Sequence, residues 1–260
     1  MKKYLKLFFI IIIITTSLQS FATNDNREYY LIKIYHCKTN AQLLIVDDYL
    51  KNIYLPNLHK SGIEKVGAFK PIDNDTANDK RIIVFIPFKK LETFTDLENE
   101  ADKQDPFLKN ESVYSNAAYN DAPFVRIETV LLHAFKNMPL FQVPLLTGNL
   151  NDRVYELRSY EGATENLYRK KVHMFNEGGE IDIFKRLSFN AVFYAEVLSG
   201  SHMPNLMYMT SFNSKADRDD HWKIFSSDAT WKKISGMTEY ANTVSKSDVL
   251  LMHATDYSDF

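Results

Sequence analysis

Apolar and polar positions along this chain alternate in short runs, and longer runs with helical spacing separate them. The whole order occurs twice. The run "VYELRSYEG" (154–162) sets Tyr155 and Leu157 on one side of an extended strand and Glu156, Arg158 and Tyr160 on the other. Laid over "YYLIKIYHCKTN" (29–40), it matches Tyr30 with Tyr155, Ile32 with Leu157, Lys33 with Arg158, Tyr35 with Tyr160 and Thr39 with Thr164. Each strand runs into a threonine whose hydroxyl can accept from the free N–H groups of a following helix. The spacing predicts those helices over about residues 42–61 and 165–187. Pro56 interrupts the first and Gly178-Gly179 the second, so both should kink or break. Two strands follow in each half, 65–72 with 81–88 and 190–198 with 205–212. A second helix (91–101, 216–225) and a closing strand (126–135, 247–254) complete each half.

The order β-α-β-β-α-β, read twice, predicts an α+β protein of tandem ferredoxin-like repeats. Each repeat leaves one sheet face uncovered. The two faces can pack together and close a dimeric-type α/β barrel within one chain. The first repeat is expected over 23–136 and the second over 153–260. The linker 137–152 carries Pro139, Pro144 and Gly148.

Composition adds bounds. A chain of 260 residues with 45% hydrophobic and 13% aromatic content can bury a large core. A net charge of −2 gives no field to draw nucleic acid, and no such partner is expected. Residues 1–22 differ from the rest: Lys2, Lys3 and Lys6 precede an apolar run (7–14), and Ser20-Phe21-Ala22 offers small residues to a signal peptidase. A cleaved secretory signal is the expectation, with a secreted or periplasmic product and no stable membrane span after cleavage. Cys37 has no second cysteine to pair with and reads as a structural residue at a strand end.

Candidate chemistry centres on the polar row. If Tyr155 and Leu157 face the helices, Glu156, Arg158 and Tyr160 face the barrel interior. The same parity turns Tyr194 and Glu196 inward, and Lys33 and Tyr35 line the opposite wall. For "NLMYMTSF" either Tyr208 and Thr210 or Met207 and Met209 point in. Such an interior is either a cavity that orients a small polar or aromatic ligand, or a set of buried ion pairs joining the halves. Of the seven histidines, His133 and His253 lie on equivalent closing strands, but none has the H-E-x-x-H spacing, and no metal is expected. No G-x-G-x-x-G loop and no G-x-S-x-G elbow occurs, so no cofactor is expected either.

The second half, with "YELRSYE", "FNEGGEIDIFKRLSFNAVFYAEVLSG", "PNLMYMTSF" and "HWKIFSSDATWKKI", resembles the NIPSNAP family. Members share Tyr-x-Leu/Ile-Arg-x-Tyr, matched by Tyr155, Leu157, Arg158 and Tyr160. They also share Trp-x-x-Phe-x-x-Asp-x-x-Trp, matched by Trp222, Phe225, Asp228 and Trp231. The first half looks like a degenerate copy, with Asp105-Pro106 kept, Leu97 or Glu98 near the place of Trp222, and Leu108 for Trp231. The resemblance implies a dimeric α/β-barrel fold and carries over no catalytic residues. The expected role is an exported ligand-binding or assembly module with a polar barrel interior. The alternative is a cofactor-independent monooxygenase-like enzyme in which Arg158 stabilises a substrate anion while a Tyr or His moves the proton. Sheet edges leave pairing with a second copy open.

Overall fold

The computed structural model describes residues 26–100 and 113–260. The leader 1–22, Asp105-Pro106 and Leu108 lie outside the described residues. The first half comprises β1 (Tyr29–Cys37), α1 (Asn40–Tyr49), a π-helical segment (Leu50–Tyr54), α2 (Leu55–Lys60), β2 (Gly67–Pro71), β3 (Lys80–Phe88), α3 (Leu91–Glu100) and β4 (Arg126–Ala134). The second comprises β5 (Val154–Glu161), α4 (Glu165–Asn176), α5 (Glu180–Arg186), β6 (Ala191–Ser199), β7 (Asn205–Phe212), α6 (Lys215–Ser227), α7 (Ala229–Ser235) and β8 (Lys246–Ala254).

Local chemistry sets these boundaries. Thr39 accepts from Gln42 N and Thr164 from Leu167 N, so both expected caps form. The first helix absorbs Pro56 by widening to π spacing over the turn before it. The second breaks outright: Gly179 adopts φ 90° at the start of α5, a conformation that costs glycine little. At Gly178 a Cβ would lie 2.7 Å from the Met174 carbonyl oxygen.

The eight strands close a barrel in the order β1-β3-β2-β8-β5-β7-β6-β4. Within each half the order is that of a ferredoxin-like sheet. Two seams join the halves: β2 pairs with β8 (Phe69↔Ala254) and β4 with β6 (Leu132↔Val197). Two straps run beside these seams. After β4, Phe135 N donates to Tyr194 O and Gln142 N to Val192 O; after β8, Thr255 N donates to Ala68 O and Asp259 N to Val66 O. Each strap delivers a phenylalanine to the barrel core. Phe141 and Phe260 stack with centroids 6.0 Å apart, and both rings lie near Phe85.

The parity is the reverse of the expectation. One buried apolar cluster takes residues from all eight strands, including Tyr30, Phe69, Phe85, Leu132, Tyr155, Leu157, Phe193, Met207, Met209 and Met252. Residues from every strand meet only inside the barrel, so the interior is apolar and filled with aromatic rings and methionines. Tyr155 and Leu157 point in, whereas Glu156, Arg158 and Tyr160 point out beneath the second half's helices. Tyr194, Leu206 and Tyr208 lie in that same outer layer with Phe175, Phe184 and Phe225. On β1, Leu31 and Tyr35 lie under the first half's helices, with Lys33 between them in the alternation and its ammonium 5.5 Å from the Tyr54 ring centroid. Lys33 and Tyr35 therefore form no wall opposite Arg158. The expected polar interior is corrected: both faces of these strands are covered, and the charges occupy the helix side because donors on α6 meet them there.

Candidate functional site

Glu156 is 0% exposed and buried between β5 and α6. Its Oε1 accepts from Arg158 Nε (2.6 Å) and Arg218 Nη2 (2.9 Å), and its Oε2 accepts from Arg218 Nε (2.7 Å) and Trp222 Nε1 (2.8 Å). A carboxylate has about four lone-pair sites, and here each oxygen has two donors. Burial by itself pushes the Glu156 carboxyl up, but the two arginines and the Trp222 N–H outweigh it and hold it below its ordinary value. Arg218 and Trp222 stand four residues apart on α6 and so reach the sheet side by side.

Arg158 is held on three sides. Its guanidinium lies 3.8 Å from the Trp222 ring centroid, its Nε donates to Glu156 and its Nη1 donates to Tyr160 Oη at 3.1 Å. Tyr160 Oη and Tyr208 Oη share a hydrogen bond of 2.8 Å. Burial raises the Tyr208 hydroxyl well above the usual tyrosine range, so it stays protonated near neutrality. Beside this cluster a second buried pair joins α4 to α5: Lys171 Nζ donates to Glu180 Oε2 at 2.7 Å. Burial raises the Glu180 carboxyl, with Lys171 and then Arg158 opposing. The Lys171 ammonium also lies 5.7 Å from the Tyr160 ring centroid and 5.5 Å from that of Trp231.

These contacts account for the two sequence patterns. Trp222 supplies an N–H and a ring face to the charges. Phe225 is buried and stacks on Phe184 at 4.8 Å, and Trp231 packs against Phe225 at 4.6 Å. Asp228 caps α7 by accepting from Thr230 N and Trp231 N, and it pairs with Arg186 at 2.9 Å. Such an arrangement clamps α6 and α7 onto the sheet and leaves the Glu156 carboxylate no free lone pair for substrate.

Of the seven candidate site residues, the structure joins Glu156, Arg158 and Tyr160 directly. Tyr194 lies in the same layer, its ring 5.6 Å from that of Tyr208. Glu196 is half-exposed at the β4–β6 seam, where it accepts from Tyr168 Oη and lies 4.0 Å from Arg27. Lys33 and Tyr35 belong to the other half. Sequence reasoning missed Arg218, Lys171 and Glu180. The available signal was Arg218 one helical turn before Trp222, across from a carboxylate that needed donors. His133 stacks on Tyr29, and His253 Nδ1 lies 2.8 Å from the Arg153 carbonyl oxygen. Among the described residues, no group of His, Cys, Asp and Glu could hold a metal ion. Cys37 is buried, and burial, with Asp47 and Asp79, pushes its thiol up to about 11, so little thiolate is present near neutrality.

The fold recurs in known structures. A candidate monooxygenase from Lactobacillus acidophilus NCFM superposes with a TM-score of 0.53 at 13% identity, over 88% of this chain and 94% of that one. An anthrone oxidase-like protein gives 0.53 at 9% identity, over 89% and 93%. Identities this low establish the barrel fold and nothing of the chemistry. A comparison with curated proteins finds no match. The sequence pattern of the NIPSNAP family matches residues 155–259, the stretch that holds Glu156, Arg158, Arg218 and Trp222. Over residues 155–259 the second half of this chain is thus similar to the NIPSNAP family, as its sequence patterns suggested.

Proposed function

We propose that the chain is an exported, non-catalytic binding module in which the NIPSNAP patterns build the fold rather than perform a reaction. The observation that carries this reading is the closed hydrogen-bonding of Glu156. A carboxylate with two donors on each oxygen is neither a base nor a free ligand. Arg158, to which the enzyme reading assigns anion stabilisation, has its guanidinium shared among Glu156, Tyr160 and Trp222. The apolar interior favours no polar guest. Space for a molecule lies instead at the periphery, where recesses open at strand ends and helix edges. The barrel closes through its own two seams, so a second copy is not needed to complete it.

A thermal-shift screen with small organic molecules tests binding, since a ligand of the native state raises the melting temperature by mass action. Each stabilising compound is then incubated with protein in air and recovered for mass spectrometry. Unchanged compounds are the expected result. Conversion that disappears in Arg158→Lys would overturn the non-catalytic reading. Export is tested by expressing the chain with its leader: the recovered protein should begin near Thr23 and lie outside the cytoplasm. Full-length chain retained inside the cell would refute it.

A further inference from the structure

At the end of the barrel where β1 and β2 begin and β3 finishes, a recess of about 410 Å³ opens to solvent. Ile63, Pro87, Phe88 and Phe141 give it apolar surface. Glu28 lines it as well and is only 7% exposed. The end of β4 and the strap after it fix this residue at three points. Glu28 N donates to Pro139 O, Glu28 O accepts from Ala134 N, and Glu28 Oε2 accepts from Phe141 N at 2.8 Å. Its Oε1 accepts from no described donor, although it is not sealed inside the protein. Glu156 has four donors where Glu28 has one. Burial accordingly raises the Glu28 carboxyl, with the Phe141 N–H and then Lys89 opposing. A carboxylate so poorly solvated gains from any donor that enters the recess.

The rim carries mostly the opposite charge. Lys65, Lys89 and Lys90 are exposed there and form no salt bridge among the described residues, with Glu64 the exposed carboxylate beside them. A plain amine would meet Glu28 but also these ammonium groups. A plain carboxylate would meet the lysines but also Glu28. A molecule that bears both charges satisfies both parts of the recess. We infer that this recess binds an amino acid with an apolar side chain. Its ammonium donates to Glu28 Oε1, its carboxylate faces the lysines, and its side chain lies against Phe141, Ile63 and Pro87. Because the strap already holds Glu28 in place, little ordering of the protein accompanies binding. This assignment rests on the binding-module reading and names the ligand class for it.

The test titrates purified protein with L-phenylalanine, 2-phenylethylamine and 3-phenylpropionate, which share a ring and differ in their charged groups. Amide resonances of residues 61–65 and 89–93 are followed by NMR. Phenylalanine should shift them, and each singly charged analogue should bind about tenfold more weakly or worse. Glu28→Gln keeps a carbonyl oxygen for the Phe141 N–H, so it should retain a cooperative melt and weaken phenylalanine about tenfold. Lys89→Gln combined with Lys90→Gln, both at exposed positions, should keep the parent melting temperature, weaken phenylalanine and tighten the amine. This second variant decides the matter even if Glu28→Gln fails to fold. Equal affinity for phenylalanine and the amine, phenylalanine binding that survives Glu28→Gln, or no shift with any probe overturns the inference. Each of these leaves a binding module intact. The broader reading falls only if the thermal-shift screen finds no stabilising molecule as well.

Discussion

Where β5 carries Glu156, β1 carries Leu31, and both side chains lie beneath the helices of their own half. Lys33 stands where Arg158 stands, and Tyr35 where Tyr160 stands. The first half fills this layer with apolar and aromatic groups: Tyr35 is a hydrogen-bond partner of Tyr114, and the Tyr114 ring stacks on Tyr49 at 3.8 Å. The second half fills the same layer with two arginines, two carboxylates and a lysine. One backbone plan therefore tolerates either an oily or a charged helix–sheet joint. The charged version gains no certain stability from its ion pairs, because desolvation offsets much of their attraction. What it gains is orientation: four directional donors on one carboxylate fix the seating of α6 more sharply than a leucine contact does.

The difference between the halves can be broken most severely at its centre. Glu156→Ala leaves Arg158, Arg218 and the Trp222 N–H facing each other in a buried space, and should cost about 3–5 kcal/mol in a urea or guanidinium melt. Glu156→Leu combined with Arg218→Met, which imitates the first half, should recover more than half of that loss. If the double variant is no better than the single, the comparison between the halves fails.

Acid sharpens the contrast between the two buried carboxylates. Glu156 titrates below its unfolded value, so its contribution is complete above the ordinary glutamate range, near 4.5, and is lost as pH falls through the lower folded value. Glu180 titrates above 4.5, so its ionisation in the folded state works against stability as pH rises. Glu156→Gln should flatten the acid limb of a stability–pH profile, and Glu180→Gln should steepen it. A common response from both would show that environment does not separate them.

The smallest effect separates two interior tyrosines. Tyr155 has the Arg153 guanidinium as hydrogen-bond partner, whereas its counterpart Tyr30 has a buried hydroxyl with none. Tyr155→Phe should cost about 1 kcal/mol, and Tyr30→Phe should be neutral or slightly stabilising. Equal losses at both sites in equilibrium unfolding would contradict the assigned partners.

Much of this architecture was legible beforehand. The match of Tyr30 with Tyr155 and Ile32 with Leu157 places equivalent residues inside the barrel, and Thr39 and Thr164 cap the helices that the spacing predicts. The inside–outside assignment was not legible. Alternation divides a strand into two sets of side chains, and a barrel under helices buries both sets, so polarity on one strand does not say which set meets water, helix or interior. The deciding partners, Arg218 and Trp222, lie more than sixty residues downstream of Glu156. The repeat itself did not decide it, because both sets keep partners between the copies: Tyr30 with Tyr155 inside the barrel, and Tyr35 with Tyr160 under the helices. The recess at the barrel end had no sequence signal, because it depends on how the linker brings Phe141 back to Glu28.

The two seams also govern how the chain reaches this state. Strand β2 finds its outer partner only in β8, where Phe69 pairs with Ala254 from the far end of the second half. While the ribosome is still making the second half, the first can zip up its own four strands but cannot cover their inward side. Tyr30, Ile32, Phe69 and Phe85 then form a greasy, exposed sheet that waits for the last strand. Such contacts, distant in sequence, slow folding and lengthen the interval in which sticky surface is open to other chains. A truncated chain ending at the linker should therefore aggregate or recruit a chaperone, although every strand of its own sheet is present.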